Sequence, residues 1–407
     1  MKIKIGYIIV FFITISSYGQ SMKEYLNIAE KNNPELKAMQ YKYESALEKV
    51  NEEGSLPNTT IGAGFLIQEA ETRVGAQKAK LSVSQMMPWF GTLQAKKESA
   101  SFKADAQSNS IDLSKRKLFL NVKTDYFQLY ELNEKERIIK KNINILKTFE
   151  DLALNELENN RSTMVDVLKI RMEKNELSNK LSEIVENLKT AQITFNLILN
   201  REENLLVNIP KNIEIIDDSN LFKKEMISDN PQLLKLDNLQ NAIEKAELVS
   251  KKEGLPTIGI GLDYAIVENR AVENLLDNGK DIIMPMITVS VPLFSKKYSS
   301  KQKQLQLDQK AIETIKINAK NQLYTIFEKA KSKMVNAKTS IKTQIENIKE
   351  VDNTKKLLFV AYETSIIDFD QLLEIQQLKL KFQLKKVVSE KEYAIQKSTL
   401  EFLTKNE

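Results

Sequence analysis

The sequence predicts a mainly α-helical chain that twice breaks into a β-hairpin whose strands have membrane-spanning length. Three observations carry that expectation. Long segments run without proline or glycine and place apolar residues at heptad spacing. Two stretches, Leu56 to Lys97 and Leu255 to Lys297, alternate apolar and polar residues as strands do. The second stretch and its flanking helices repeat the first, with Asn33 recurring as Asn230, Pro57 as Pro256 and Pro88 as Pro292, a period of about 200 residues.

Composition bounds the chemistry. The 407 residues are 42% hydrophobic and 28% charged, the balance of a folded chain. The formal charge is +5, but both signs are mixed along the helices, which argues against a nucleic-acid partner. Cysteine and histidine are absent. Disulfides, thiol nucleophiles, cysteine lipidation, histidine-dependent triads and imidazole or thiolate metal sites are therefore excluded. No catalytic, metal-ligating or cofactor-binding residue is identified.

Lys2 and Lys4, the apolar run Ile5 to Ile15 and the small-residue stretch ending at Gly19 have the order of a secretory signal peptide over residues 1–19. A membrane anchor helix is the alternative, for which the run is short of the ~20 residues a bilayer core requires. A helical segment follows from Ser21 to Glu53, interrupted at Asn32-Asn33-Pro34, where Pro34 suits the first turn of a new helix and Asn33 its cap.

The first hairpin, residues 57–90, sends a strand out near Thr59 to Ile67 and back near Ala79 to Met87. The second, residues 256–294, sets Ile258, Ile260, Leu262, Tyr264 and Ile266 on one face. Gly259, Gly261, Asp263 and Ala265 take the other, and the return strand sets Ile287, Val289 and Val291 opposite Met286, Thr288 and Ser290. A hairpin half-buried in a soluble domain gives the same alternation. Strands of about nine residues, apolar on one face and small or polar on the other, also suit a tilted strand between lipid and water. Context favours the second reading, because a lone hairpin is marginal and the flanking helices offer no strand to extend it.

From Thr92 to about Asn159 no proline or glycine interrupts the chain. Some 65 residues would make a helix of about 100 Å. Leu177, Leu181, Ile184, Leu188, Ala191, Phe195 and Ile198 then form a coiled-coil seam. Arg201 to Asp229 breaks the period and reads as a linker, with a short strand at Asn212 to Ile216 and a short helix after Ser219. In the second repeat, Ser299 to Lys349 is a long helix with apolar positions Leu305, Ile312, Ile315, Ala319, Leu323, Ile326 and Ala330. Gln371 to Leu403 is the last helix. The organisation is thus residues 20–200, a linker at 201–229, and residues 230–407.

Several motifs together resemble the TolC family of outer-membrane efflux ducts. They are AEKNNPELKA from Ala29 and SDNPQLLKL from Ser228, and the hairpin closures PWFG from Pro88 and PLFS from Pro292. The paired tip motifs STMVDVLKIR from Ser162 and SIIDFDQLLEIQ from Ser365 complete the set, aligning Asp166 with Gln371 and Ile170 with Ile375. The resemblance covers Gln20 to Glu407. It implies long antiparallel coiled-coil helices and a homotrimer in which three chains of four strands close a 12-stranded membrane β-barrel. That barrel would continue into an α-helical periplasmic barrel. It also implies a passive duct of a tripartite efflux or type I secretion system in the outer membrane of a Gram-negative bacterium. Its partners would be a periplasmic adaptor (membrane fusion) protein, an inner-membrane pump such as an RND or ABC transporter, and outer-membrane lipid.

The resemblance implies sites as well. Asp368, Asp370, Gln371 and Glu374 fall at the periplasmic constriction, where relatives often carry a carboxylate ring; solvated helix-start carboxylates are the alternative. Asn160, Arg161, Ser162, Ser365, Ile366 and Ile367 fall at the adaptor-docking tips, with Ile366 and Ile367 expected to be exposed. Here the family's usual glycine is missing. Trp89, Phe90 and Phe294 fall at the membrane boundary, with core packing the alternative for Trp89. Two rival classes stand beside the duct. A secreted or surface coiled-coil protein would explain the heptads but not two matched hairpins. A carboxylate-dependent enzyme would need an acid pair the sequence does not display.

Overall fold

The computed structural model describes residues 22–159, 162–216, 221–271, 276–293, 296–364 and 367–404. The signal peptide expected at residues 1–19 therefore lies outside the described residues. The element order is α1 (Met22–Asn32), α2 (Pro34–Glu53), β1 (Thr60–Thr72), β2 (Gly75–Met87), α3 (Thr92–Glu158) and α4 (Met164–Ile198). A 3₁₀ turn at Lys224–Asp229 follows, then α5 (Pro231–Glu253), β3 (Thr257–Val267), β4 (Ile282–Ser290), α6 (Lys296–Glu363) and α7 (Phe369–Thr404).

Breaks fall where local chemistry puts them. Pro34 has no N–H and opens α2 directly after the one-residue interruption at Asn33. Its counterpart is more fully resolved. The Asn230 side chain accepts the Gln232 N–H at 3.0 Å, its amide donates to the Leu403 carbonyl at 3.2 Å, and Pro231 takes the first helical position. At α4, Thr163 and Asp166 form a reciprocal capping box.

The chain gathers into two compact units. The first comprises the described residues of Met1–Asn33, Lys117–Leu221 and Lys329–Phe402. Its core is built by three helices: Leu146, Phe149 and Ala153 on α3; Val167, Ile170, Leu177 and Ile184 on α4; and Phe369, Leu372, Leu380 and Val387 on α7. The expected α4 seam is the inward one, with Leu177, Ile184 and Phe195 buried and Leu181, Leu188 and Ala191 half-buried between them. Each fully buried Leu or Ile in such a seam contributes about 1.5–3 kcal/mol. Near α1, Tyr25 is wholly buried, packs edge-on against Phe195 at 5.1 Å, and accepts the Asn208 N–H at 2.8 Å.

The linker differs from expectation. Residues Asn212 to Ile216 pair with no strand. Ile213 packs on the helical core, and the Ile216 carbonyl accepts the Tyr393 hydroxyl at 2.6 Å, so a side chain satisfies a group that a ladder would otherwise take. The short helix expected after Ser219 is the 3₁₀ turn.

The second unit comprises the described residues of Pro34–Arg116, Phe222–Glu328 and Leu403–Glu407, and it holds the whole sheet. Along α6, Ile315 and Ile326 are exposed rather than inward. The buried series is Ala319, Leu323, Phe327, Ala330, Met334, Ala337 and Ile341. Ile326 lies about 100° round the helix from Phe327, and the heptad that continues through Ala330 and Met334 selects Phe327.

Candidate functional site

The four strands form one antiparallel meander in the order β1-β2-β3-β4, joining the two hairpins through β2 and β3. Both hairpins extend past the alternating segments. β1 runs on to Thr72 and β2 begins at Gly75, because Lys78 bridges Glu69 and Glu268 beside the turn. Gly75 sits at φ 137°, and a Cβ there would run into the Glu268 backbone carbonyl. β4 starts at Ile282, four residues earlier than the alternation shows, and carries Pro285, which an edge strand tolerates.

The register aligns Ile61, Val83, Leu262 and Pro285 in one row and Ala63, Leu81, Tyr264 and Ile283 in the next. That face is apolar and open: Ile61 is 76% exposed, Phe65 81% and Ile287 79%. The opposite face carries Gly62, Gly64, Ser82, Ser84, Gly259, Gly261 and Thr288. Across it, Lys80 forms an ion pair with Asp263, whose side chain is almost wholly buried. The register also brings Met86, Met284 and Met286 onto this face, opposite Gly259, Asp263 and Gly261. The sequence shows no methionine cluster, because Met86 comes from the first hairpin and Met284 and Met286 from the second. The Met86 sulfur occupies the space a Cβ on Gly259 would need.

All four strand–helix junctions lie at one end of the sheet, as the pairs Thr60–Ser84, Met87–Ile258 and Thr257–Ser290 require. The first hairpin closes there on Pro88–Gly91. Trp89 is half-buried and meets the exposed Phe90 edge-on at 6.0 Å. The Trp89 carbonyl accepts both the Thr92 N–H and hydroxyl, and Lys252 donates to the Phe90 carbonyl at 2.9 Å. Phe294 lies outside the described residues.

The tip candidates separate into distinct roles. Asn160, Arg161, Ser365 and Ile366 lie outside the described residues. The Ser162 hydroxyl donates to the Asp166 carboxylate at 3.2 Å and so belongs to the α4 cap. Burial opposes the charged Asp166, but the Thr163 hydroxyl, the Thr163 N–H and Ser162 outweigh it and hold the carboxyl below the usual range. Ile367 is half-buried rather than exposed. Phe369, two residues on, inserts against Phe149 and Tyr362 and draws the turn inward. The exposed apolar residues are instead Met164, Val165, Leu168 and Met172 on α4 and Leu357, Phe359 and Val360 on α6. Read as a sequence, they merge with the seam.

Of the constriction candidates, Asp368 precedes α7 and its carbonyl accepts the Gln371 N–H at 3.4 Å, a helix-start geometry. Asp370 forms an ion pair with Lys169 of α4 at 2.5 Å. Glu374 is exposed and lines an open groove of about 460 Å³ between α4 and α7, together with Glu173, Glu176 and Gln377. Glu173 and Glu176, which accompany Glu374 there, were missed from sequence because their facing partner lies on another repeat. Gln377 donates to Glu173 at 2.9 Å and registers the two helices. Among the described residues no group of three or more acidic side chains is placed to hold a metal ion.

A polar layer crosses the first unit's core. Lys355 donates to Gln376 Oε1 at 2.7 Å, Gln376 Nε2 donates to Asn142 Oδ1 at 2.6 Å, and Asn142 Nδ2 donates to the Ile138 carbonyl at 2.8 Å. Burial and the Lys379 cation lower Lys355 below the usual lysine range, with Asp352 opposing them and Lys141 adding to them. Nearer the tip, the Lys174 and Arg171 cations hold the Glu150 carboxyl below its ordinary value against burial.

No family model and no curated protein matches the sequence. Solved structures do match. The outer membrane protein VceC of Vibrio cholerae is 10% identical with a TM-score of 0.76, over 94% of this chain and 95% of that one. CusC, described as forming a transmembrane channel, is 11% identical with a TM-score of 0.78, over 95% and 92%. The open-state MtrE outer membrane channel of Neisseria gonorrhoeae is 13% identical with a TM-score of 0.73, over 94% and 88%. No helix among the described residues is long and apolar enough to cross a membrane, a property that does not bear on strands. Across nearly its whole length, then, the chain has the fold of the TolC-like outer-membrane channels that its motifs resemble.

Proposed function

We propose that the chain is the outer-membrane exit duct of a tripartite efflux or type I secretion system. Three copies would join edge strands β1 and β4 into a 12-stranded barrel, with the helices forming a periplasmic tunnel. The observation that carries this reading is the sheet itself. It has two unpaired edges and one apolar face left open by the chain. Edge strands and exposed apolar faces of this kind are liabilities unless another chain or lipid covers them. Closure by copies of the same chain removes every edge, and lipid covers the Ile61–Phe65–Ile287 face.

The duct would act without a cofactor and without breaking a bond. An inner-membrane pump of the RND or ABC type would deliver substrate. An adaptor would meet the helical tips at Ser162 and the apolar positions Val165, Leu168, Leu357 and Val360. Asp370 and Glu374, with Glu173 and Glu176, would set the cation preference of the narrow end. Extraction of the full chain from outer membranes, followed by crosslinking and single-channel recording, tests the reading. A trimer that conducts supports it; a monomer recovered in the soluble fraction overturns it.

A further inference from the structure

The two ends of the sheet differ in how their charges are satisfied. At the hairpin-loop end most ions are partnered, Lys78 with Glu69 and Glu268, Arg270 with Glu71 and Lys280 with Asp277, while Arg73 in the first turn is exposed without an ion pair among the described residues. At the junction end some lysines are partnered too, as in the Lys96–Glu253 pair at 2.7 Å. The start of α6 concentrates lysines without an acidic partner. Its sequence KKYSSKQKQLQL places Lys296, Lys297, Lys301 and Lys303 before any acid, the first being Asp308. All four are exposed, and among the described residues none has an ion pair. On a helix of 100° per residue they fall within a sector of about 160°. Tyr298 and Gln302, both half-buried, take the opposite side.

Two further features share this end. The Trp89–Phe90 pair lies beside the lysine-bearing junctions, with Lys252 bonded to the Phe90 carbonyl. A groove of about 380 Å³ is lined by Ala46, Ala100, Ala246 and Val249 with Lys103 and Lys301, and its two carboxylates, Glu53 and Glu253, are each paired with a lysine of the same lining, Lys49 and Lys96. Aromatic rings, an apolar slot and an unneutralised cationic strip, set where apolar strands give way to charged helices, form the chemistry of a headgroup region.

We infer that the first turns of α6 bind anionic phospholipid headgroups of the leaflet facing the helices, through Lys296, Lys297, Lys301 and Lys303. The inference rests on the barrel reading, because only then does this end of the sheet meet a leaflet. The strip places four ammonium groups beside lipid phosphates. The adjoining groove is wide enough for part of an acyl chain. A free anion in solution would use the cations but not the groove.

Native mass spectrometry of the detergent-purified full chain, incubated with equimolar phosphatidylglycerol and phosphatidylcholine, tests it. Wild type is expected to retain phosphatidylglycerol over phosphatidylcholine by about fivefold or more, a preference that falls as salt rises. The variant K296Q/K297Q/K301Q/K303Q is expected to lose the preference. The variant K329Q/K342Q/K349Q/K356Q, with the same charge change at exposed positions farther along α6, is expected to keep it. Equal retention of the two lipids by wild type, an unchanged preference in the first variant, or an equal loss in both variants overturns the inference. Conductance of the same preparation in phosphatidylcholine bilayers reports on the duct reading separately.

Discussion

Replacing Gln376 by leucine isolates the polar layer in the helical core. Gln376 is 2% exposed, and so is Asn142, its partner. The substitution leaves Asn142 Oδ1 without its donor and removes the acceptor of Lys355. An unsatisfied buried carbonyl costs about 1–3 kcal/mol, and a bond from a charged donor contributes up to about 3 kcal/mol. Lys355 is only half-buried and can turn to water, so its share is the smaller. The leucine returns about 1–2 kcal/mol of apolar burial. The net expectation is a loss of about 2 kcal/mol, which for a cooperative unit of this size lowers the melting temperature by roughly 4–8 °C.

Circular dichroism melting of the detergent-solubilised chain reads that shift. The double variant N142L/Q376L is expected to recover most of the loss, because removing both partners of a buried bond is close to neutral. Lys355 adds a pH signature. Its folded-state pKa is below its unfolded value of 10.5, so the charged form costs stability at neutral pH, and that cost fades as pH rises from the folded value towards 10.5. Wild type should therefore gain on Lys355→Met as the solution is made alkaline. A Gln376→Leu protein that melts with wild type, or a double variant no better than the single, would refute the account of this layer.

Thr163→Ala removes one half of the α4 capping box and should cost about 1 kcal/mol, seen as faster amide exchange confined to the first turns of α4. Gly75→Ala forces a Cβ onto the Glu268 carbonyl at a φ that L-residues avoid; it should lower the yield of folded, membrane-inserted protein, and a normal yield would show the hairpin end to be more pliant than described. At the tip, Glu374→Gln should reduce cation preference in single-channel recordings. Asp370→Asn should reduce it more, because it also releases the Lys169 ammonium from its ion pair. Equal preference in wild type and both variants would remove these carboxylates from the conduction path.

Much of the fold was legible because it is written in periods that need no partner to be read. The α4 seam from Leu177 to Phe195 and the alternation of β3 are properties of single segments. So are the helix start at Pro34 and the cap at Asn230-Pro231. What escaped depends on two segments meeting. The methionine face needs the register of β2, β3 and β4. The choice of Phe327 over Ile326 turns on which face of α6 meets its neighbours. The expected strand at Asn212 to Ile216 failed because Tyr393, far along the chain, accounts for the Ile216 carbonyl. The tip acids were found by motif position, but that Asp370 is neutralised by Lys169 could be seen only once α4 and α7 lay side by side.

The meander order has a consequence for how the chain is made. β2 ends at Met87, and the strand it pairs with begins at Thr257, so the central seam of the sheet joins residues separated by two long helices, the linker and a third helix. A two-stranded ribbon alone is marginal, and pairings between distant segments are slow to form. The helices, whose contacts with their own turns are local, can order as they emerge. The first hairpin must wait with one apolar face and two bare edges until the second arrives. During that interval the chain is at its most aggregation-prone, and the hairpin edges are where a chaperone would have to hold it.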